Sequence, residues 1–256
     1  MSNKISIIVA VFNGRECLEN LLSSVINQIN NNYELLIIDG GSKDNTIDII
    51  KRYEDHISYW ISEPDKGIYD AWNKGIVKAT GDWIMFLGAD DELKPEALNK
   101  YHSFLSSKKH NDLQYVSSRL EMIDLNGKQT RTKGWPWEWP IFLNEMTVAH
   151  PGSLHAKTLY NEYGLYNINY KITGDYEFLL RPRGKLRAAF MNEITVKMSE
   201  GGVSDSTAAL KEHYLAATTT GGASKFLMAI NLSIIYLKIS TKKLLRRMGI
   251  NAYIKR

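Results

Sequence analysis

Two adjacent carboxylates, Asp90 and Asp91, follow the apolar run Trp83-Ile84-Met85-Phe86-Leu87 and precede Glu92-Leu93-Lys94-Pro95. The run reads as a buried strand, which puts the pair at a carboxyl end, where open α/β sheets bind ligands. Two hard oxygen donors held together suit Mg²⁺ or Mn²⁺ bridging to a diphosphate. The plainer alternative is that they only open the helix beginning at Pro95, since acidic residues favour helix starts. A second polar segment, Asp39-Gly40-Gly41-Ser42-Lys43-Asp44, follows Glu34-Leu35-Leu36-Ile37-Ile38. Asp39 at a strand terminus is placed to accept hydrogen bonds from a base or ribose, and the glycines let the backbone approach a ligand. The alternative is a Gly-rich turn with Ser42 or Asp44 as helix cap. No G-x-G-x-x-G follows the first strand and no G-x-x-x-x-G-K-[ST] occurs, which disfavours dinucleotide and P-loop readings.

The elements that must position these groups alternate. Ile5 to Phe12 is β-branched-rich and ends at Asn13-Gly14, a strand and a turn. Cys17, Leu18, Leu21, Leu22, Val25 and Ile26 recur at helical spacing. Strands are expected at 34–39, 57–61 and 82–87, and helices at 45–53 and 68–78. This β-α-β-α-β-α-β order predicts an α/β fold, a mostly parallel sheet with helices on both faces. The second half is less regular: a strand or strand pair at 114–123 ending at an Asn126-Gly127 turn, a Trp/Pro cluster at 134–140, and helices at 156–163 and 175–182. One domain over 1–220 and an amphipathic helical tail over 221–256 is the simplest division.

The 256 residues carry a formal net charge of +4, unevenly placed. Residues 225–256 hold eight Lys/Arg and no Asp/Glu. Removing those eight from 32 leaves 24 basic against 28 acidic residues in the body, a net of −4. That argues against nucleic acid as a partner and points to an anionic membrane surface near the tail. The tail's apolar stretch, Phe226 to Ile239, runs into Lys242-Lys243-Leu244-Leu245-Arg246-Arg247. Such a helix suits the membrane interface, or alternatively packs on its own domain or a second subunit. No stretch reaches the roughly 18 consecutive apolar residues of a spanning helix. The N-terminus has no secretory pattern and Cys17 is the lone cysteine, so the expected location is cytoplasmic, peripheral at the inner face of the membrane.

Three segments occur in order: Ser6-Ile7-Ile8-Val9-Ala10-Val11-Phe12-Asn13, Leu36-Ile37-Ile38-Asp39-Gly40-Gly41-Ser42-Lys43-Asp44, and Phe86-Leu87-Gly88-Ala89-Asp90-Asp91. Together they resemble the family 2 glycosyltransferases, whose fold is called GT-A. Glu63-Pro64-Asp65-Lys66-Gly67-Ile68-Tyr69-Asp70-Ala71-Trp72-Asn73-Lys74-Gly75 resembles a segment of bacterial polysaccharide members, as do His150-Pro151-Gly152 and Gly201-Gly202-Val203-Ser204. The resemblance implies an inverting sugar transfer from a nucleotide-diphosphate sugar, usually a UDP-sugar, with a divalent metal. It implies that Asp39 contacts the base and that Ala10 and Phe12 line the nucleotide pocket. Asp90 and Asp91 would hold ribose and metal, with Lys66 beside the phosphates. Where many members carry an aspartate, this chain has Gly88. The family's acidic residue near a helix start falls on Asp175 of Thr173-Gly174-Asp175-Tyr176-Glu177, with Gly174 replacing the acid before it.

An inverting transfer needs one base to take the acceptor's proton, and Asp175 is expected in that role, with Glu177 as its substitute. Asp175 would equally cap a helix. Trp135, Trp137 and Trp139 lie between the donor motifs and Asp175. They suit stacking on an acceptor sugar, or a Pro-stiffened plug against the core. His150 would touch the diphosphate or the acceptor. The expected acceptor is a saccharide, lipid-linked and bound for a capsule, O-antigen or exopolysaccharide. Two rivals stay open: a nucleotidyltransferase, and an inactive nucleotide-sugar-binding subunit of an assembly complex.

Overall fold

The computed structural model describes residues 3–29, 32–107, 112–124, 127–199 and 206–247, with main chain only at 207, 238–240 and 242–247. Asn126 and Gly201–Ser204 therefore lie outside the described residues. Alternation sets the layers. In β1 (Ile5–Val11), Ile5, Ile7 and Val9 face one core while Ile8 faces the other, so the strand is buried on both sides. β2 (Tyr33–Asp39), β3 (Tyr59–Ser62) and β4 (Trp83–Gly88) join it in parallel, in the order β3-β2-β1-β4.

The intervening helices pack by their spacing. α1 (Leu18–Ile26) buries Leu18, Leu21, Leu22 and Val25 against the first core, beside α2 (Thr46–Arg52). α3 (Ile68–Lys78) covers the opposite face. Gly75 lets α3 come close, because a Cβ there would run into Ile8 of β1.

The second half makes the sheet mixed. After a two-residue strand β5 (Glu92–Leu93), α4 (Ala97–Leu105) repeats the α1 pattern with Ala97, Leu98, Tyr101 and Leu105 buried. Residues 114–123 form one strand, β6 (Tyr115–Ile123), with a hairpin partner β7 (Gln129–Lys133). α5 (Trp139–Phe142) precedes β8 (Leu154–Ala156), which runs antiparallel between β4 and β6. α6 (Lys157–Tyr163) and α7 (Gly174–Leu180) match the expected helices. β9 (Ala188–Ser199) pairs with β6 in parallel and with β5 antiparallel. The sequence of β9 carries no clean strand period. Its register against β6 shifts around Arg119, which breaks the simple alternation a strand displays in sequence. α8 (Thr207–Thr219), capped by the Ser206 hydroxyl at 3.2 Å from Ala209 N, leads to α9 (Lys225–Arg247).

Candidate active site

Register brings the polar strand ends together. Asp39 pairs with Ser62 and with Val11, and Ala10 pairs with Gly88. Four parallel strands thus present Ser62, Asp39, Phe12 and the Gly88–Asp91 turn along one carboxyl edge. With strands about 4.8 Å apart, Asp39 and Gly88 are separated by roughly 10 Å, the span of a nucleotide's sugar and phosphates rather than one contact.

Gly88 builds the cradle at the β4 end. A Cβ there would lie 3.2 Å from Asp90 Oδ1 and 3.3 Å from Asp91 Oδ2, so both carboxylates converge on its bare α-carbon. Gly88 N donates to Asp91 Oδ2 at 2.7 Å, and Asp91 N donates to Gly88 O at 3.1 Å. Asp90 is exposed while Asp91 is buried. Burial, and then the neighbouring Asp90 charge, push Asp91 up to about 8, while the Gly88 N–H pulls the other way. Two carboxylate oxygens converging on one point fit a hard divalent cation. Among the described residues no group of three or more His, Cys, Asp or Glu could hold a metal ion. A cavity of about 300 Å³ opens on Asp90, lined by Cys17, Asn20, Glu92, Asp124 and Lys197 among others; Phe12, Asp39 and Asp175 do not line it.

Asp39 is fully buried and organises its own loop. Ser42 Oγ donates to Oδ1, and Oδ2 accepts from Gly41 N at 3.0 Å, Ser42 N at 2.9 Å and Ser62 Oγ at 2.6 Å. It sits under the Gly40-Gly41 shelf. Ala10 is half-buried in β1, and Phe12 stands 64% exposed beside Gly40, over the same shelf. Asp65 closes the shelf from the β3 side: its Oδ2 would meet a Cβ on Gly40 at 2.6 Å, so a side chain at 40 would have to displace the Asp65 carboxylate. Lys66 is exposed on the next turn, its N–H bonded to Asp70 at 3.0 Å.

Asp175 stands at the same edge. Tyr69, in the first turn of α3, donates its one hydroxyl proton to Ile172 O at 2.8 Å and Asp175 Oδ1 at 3.0 Å. Tyr176 N adds a bond to Oδ1 at 2.9 Å. The Tyr69 ring fills the place of a side chain at 174, where a Cβ would lie 2.8–2.9 Å from it; hence glycine precedes Asp175. Burial, and then Asp175, push the Tyr69 hydroxyl well up, so it stays a proton donor. Glu212 of α8 accepts from the N–H groups of Lys171 (2.8 Å), Ile172 (2.8 Å) and Thr173 (2.9 Å), fixing the chain just before α7. Glu177 is taken up by Arg181 at 2.7 Å and Thr220 at 2.9 Å, so it is a structural group and no substitute base. Arg181 also donates to Tyr163 O and Leu165 O, so its guanidinium is spent inside the fold.

His150 is buried, stacked on Trp72 and Phe86, with Nε2 3.1 Å from the Tyr166 hydroxyl. Burial holds its pKa below the ordinary value, with Asp175 pulling upward. The indoles separate. Trp135 is 52% exposed, whereas Trp137 and Trp139 pack against the second core. Trp137 keeps a buried Nε1 with no partner among the described residues. Gly134, at φ +103°, makes this loop, since a Cβ would run into Ser118 O. Tyr69, Asp65 and Glu212 carried no motif signal of their own. Tyr69 and Asp65 lie inside the 63–75 segment already quoted, but nothing in a lone tyrosine or glutamate type announces a positioning role.

A glycosyl transferase family 2 model matches residues 6–154, more than half of the chain and all four parallel strands. The chain belongs to that family. This family 2 glycosyltransferase is 28% identical over 207 residues to a PGL/p-HBAD biosynthesis glycosyltransferase of Mycobacterium tuberculosis, covering 78% of each chain. It is 32% identical over 181 residues to an uncharacterized glycosyltransferase of the same species, covering 69% of this chain and 68% of that one. Among solved structures it resembles S. aureus TarS 1-349 in complex with UDP-GlcNAc, with a TM-score of 0.65 at 16% identity over 90% of this chain and 70% of that one. It spans 42% of the longer TarS chain. It also resembles the mannosyltransferase PcManGT of Pyrobaculum calidifontis in complex with GDP-Man and Mn²⁺, at TM-score 0.61 and 15% identity, covering 91% of this chain and 69% of that one. At such identities the structural likeness is one of fold, GT-A.

Proposed function

We propose that this transferase moves a sugar from a nucleotide-diphosphate sugar, a UDP-sugar first, to a saccharide hydroxyl with inversion at the anomeric carbon. The observation that carries this reading is the convergence of Asp90 and Asp91 on the bare Gly88, on the sheet edge that also holds Asp39 and the Tyr69-braced Asp175. Asp175 accepts the acceptor's proton as its oxygen bonds to the anomeric carbon, and the carbon–oxygen bond to the diphosphate breaks. Asp90 and Asp91 would hold Mg²⁺ or Mn²⁺, which when bound neutralises the diphosphate. Asp39 shapes the shelf for the base and ribose, Phe12 and Ala10 form its wall, and Lys66 stands near the phosphates. Exposed Trp135 offers a face for the acceptor, while Trp137, Trp139 and His150, packed in the second core, would act on it only through that core. The residues to 220 form the transferase domain and 221–256 its extension.

The acceptor we propose is lipid-linked and serves a bacterial surface polysaccharide or glycolipid; a relative's assignment to PGL/p-HBAD biosynthesis supports that class. The site would then work on the cytoplasmic side of the membrane. The test is UDP release from a panel of UDP-sugars with Mn²⁺, with and without chelator, alongside Asp175→Asn. One donor should turn over, chelation should stop it, and Asp175→Asn should keep donor binding while losing transfer. Equal loss of binding and transfer in Asp175→Asn would remove the base assignment. Donor binding without turnover on any acceptor, a result that the missing acid at position 88 gives reason to check, would favour the inactive binding subunit.

A further inference from the structure

From α9 we infer a docking surface for an anionic lipid bilayer, lying in the interface plane. Met228 and Leu232 turn inward and join the core with α8, which fixes the helix rotation. The opposite side is apolar and bare: Phe226 is 72% exposed, Leu227 65% and Leu237 64%, with Ile230 and Ile234 between them. Positions 226, 230, 234 and 237 follow one another at spacings of four, four and three, one stripe along more than three turns. Soluble surfaces scatter apolar side chains singly, so a continuous stripe on a terminal helix asks for a partner.

Charge decides which partner. The segment from 225 onward has eight basic and no acidic residues, against a net of −4 for the rest. A second copy docking α9 on α9 would bring like charges together, and the four residues Lys242, Lys243, Arg246 and Arg247 fall in the helix's last turns. An anionic headgroup layer offers the complementary charge, with acyl chains for the stripe. No helix among the described residues is long and apolar enough to cross a membrane, so this contact is peripheral. The inference stands apart from the sugar-transfer reading, because α9 contributes no residue to the edge that holds Asp39, Asp90 and Asp175.

The test is co-sedimentation of the full chain with vesicles of phosphatidylcholine alone and with a third of phosphatidylglycerol, at low and high salt. Binding is expected only with phosphatidylglycerol and weaker in salt. Lys242→Glu/Lys243→Glu/Arg246→Glu/Arg247→Glu should lower partitioning by about a hundredfold or more, at roughly fivefold per lost cation. Leu227→Ser/Ile234→Ser/Leu237→Ser should lower it by at least about tenfold. These three side chains are exposed, so the variant should keep its melting temperature and its UDP release in solution. Equal binding to neutral vesicles, no binding to either, or an α9-dependent dimer in the absence of lipid would each overturn the inference.

Discussion

Replacing Tyr69 by Phe takes one hydroxyl from the base assembly and leaves the ring where it packs, edge-on to Trp72 at 5.4 Å and against Gly174. The hydroxyl's single proton is shared between Ile172 O at 2.8 Å and Asp175 Oδ1 at 3.0 Å. A hydrogen bond to an ionised group contributes about 1.5–3 kcal/mol, and sharing puts this one near the lower end. Loss of about 1.5 kcal/mol of transition-state stabilisation is about tenfold in rate. The plateau kcat, read by UDP release, should therefore fall about tenfold, because the Asp175 carboxylate held through Oδ1 is no longer oriented. KM for the donor should change little. An unmoved plateau kcat would refute the idea that Tyr69 braces the proposed base. A fall in donor affinity alone would assign the hydroxyl to the nucleotide side instead.

Glu212→Ala strips the acceptor from three successive N–H groups before α7; it should cost about 2–4 kcal/mol of stability by urea unfolding and lower kcat, with Glu212→Gln recovering part of each. Bonds from Lys4, Ser6 and Thr80 to Glu34 outweigh burial, which opposes them, and hold its carboxyl at about 2, below the ordinary 4.5. A depressed folded pKa gives stability present above the unfolded value and lost as pH falls through the folded one. Thermal unfolding between pH 5 and about 2 should thus show a loss that Glu34→Gln lacks. Gly75→Ala would push a methyl into Ile8 and should cost about 1–3 kcal/mol of stability, with the Tyr69 end of α3 displaced and kcat reduced alongside.

The first half of the fold is legible because strand and helix periods alternate cleanly there. Ile7 to Val11 and Trp83 to Leu87 are continuous apolar runs, and Leu18, Leu21, Leu22 and Val25 keep helical spacing. β9 was not legible, since its register slips against β6 and its faces mix; β8 is three residues long and gives no period at all. In the site, strand-end carboxylates announce themselves by type and place. What remained hidden was the set of groups that act through others. Asp39 looks in sequence like a ligand contact, yet its oxygens are occupied by Ser42, Gly41 and Ser62, an arrangement fixed by register between strands rather than by neighbours in the chain. Glu177 and Asp175 are two residues apart on one helix turn and equivalent in type; only the approach of Arg181 to one and Tyr69 to the other separates them.

The segment before α7 is stitched to α3 and to the loop before it at several points. Lys171 Nζ donates to Lys66 O at 2.7 Å, Tyr69 reaches Ile172, and Asn73 exchanges two bonds with the backbone of Tyr166, both at 2.9 Å. The wall beside the Gly40-Gly41 shelf and the wall that carries Asp175 are therefore tied into one piece. Changes in the 63–67 loop selected to admit a different donor will also re-aim Asp175, so altered sugar preference and altered turnover should arrive in the same variants. Separating them takes a compensating change around 166–172, about a hundred residues away in the chain.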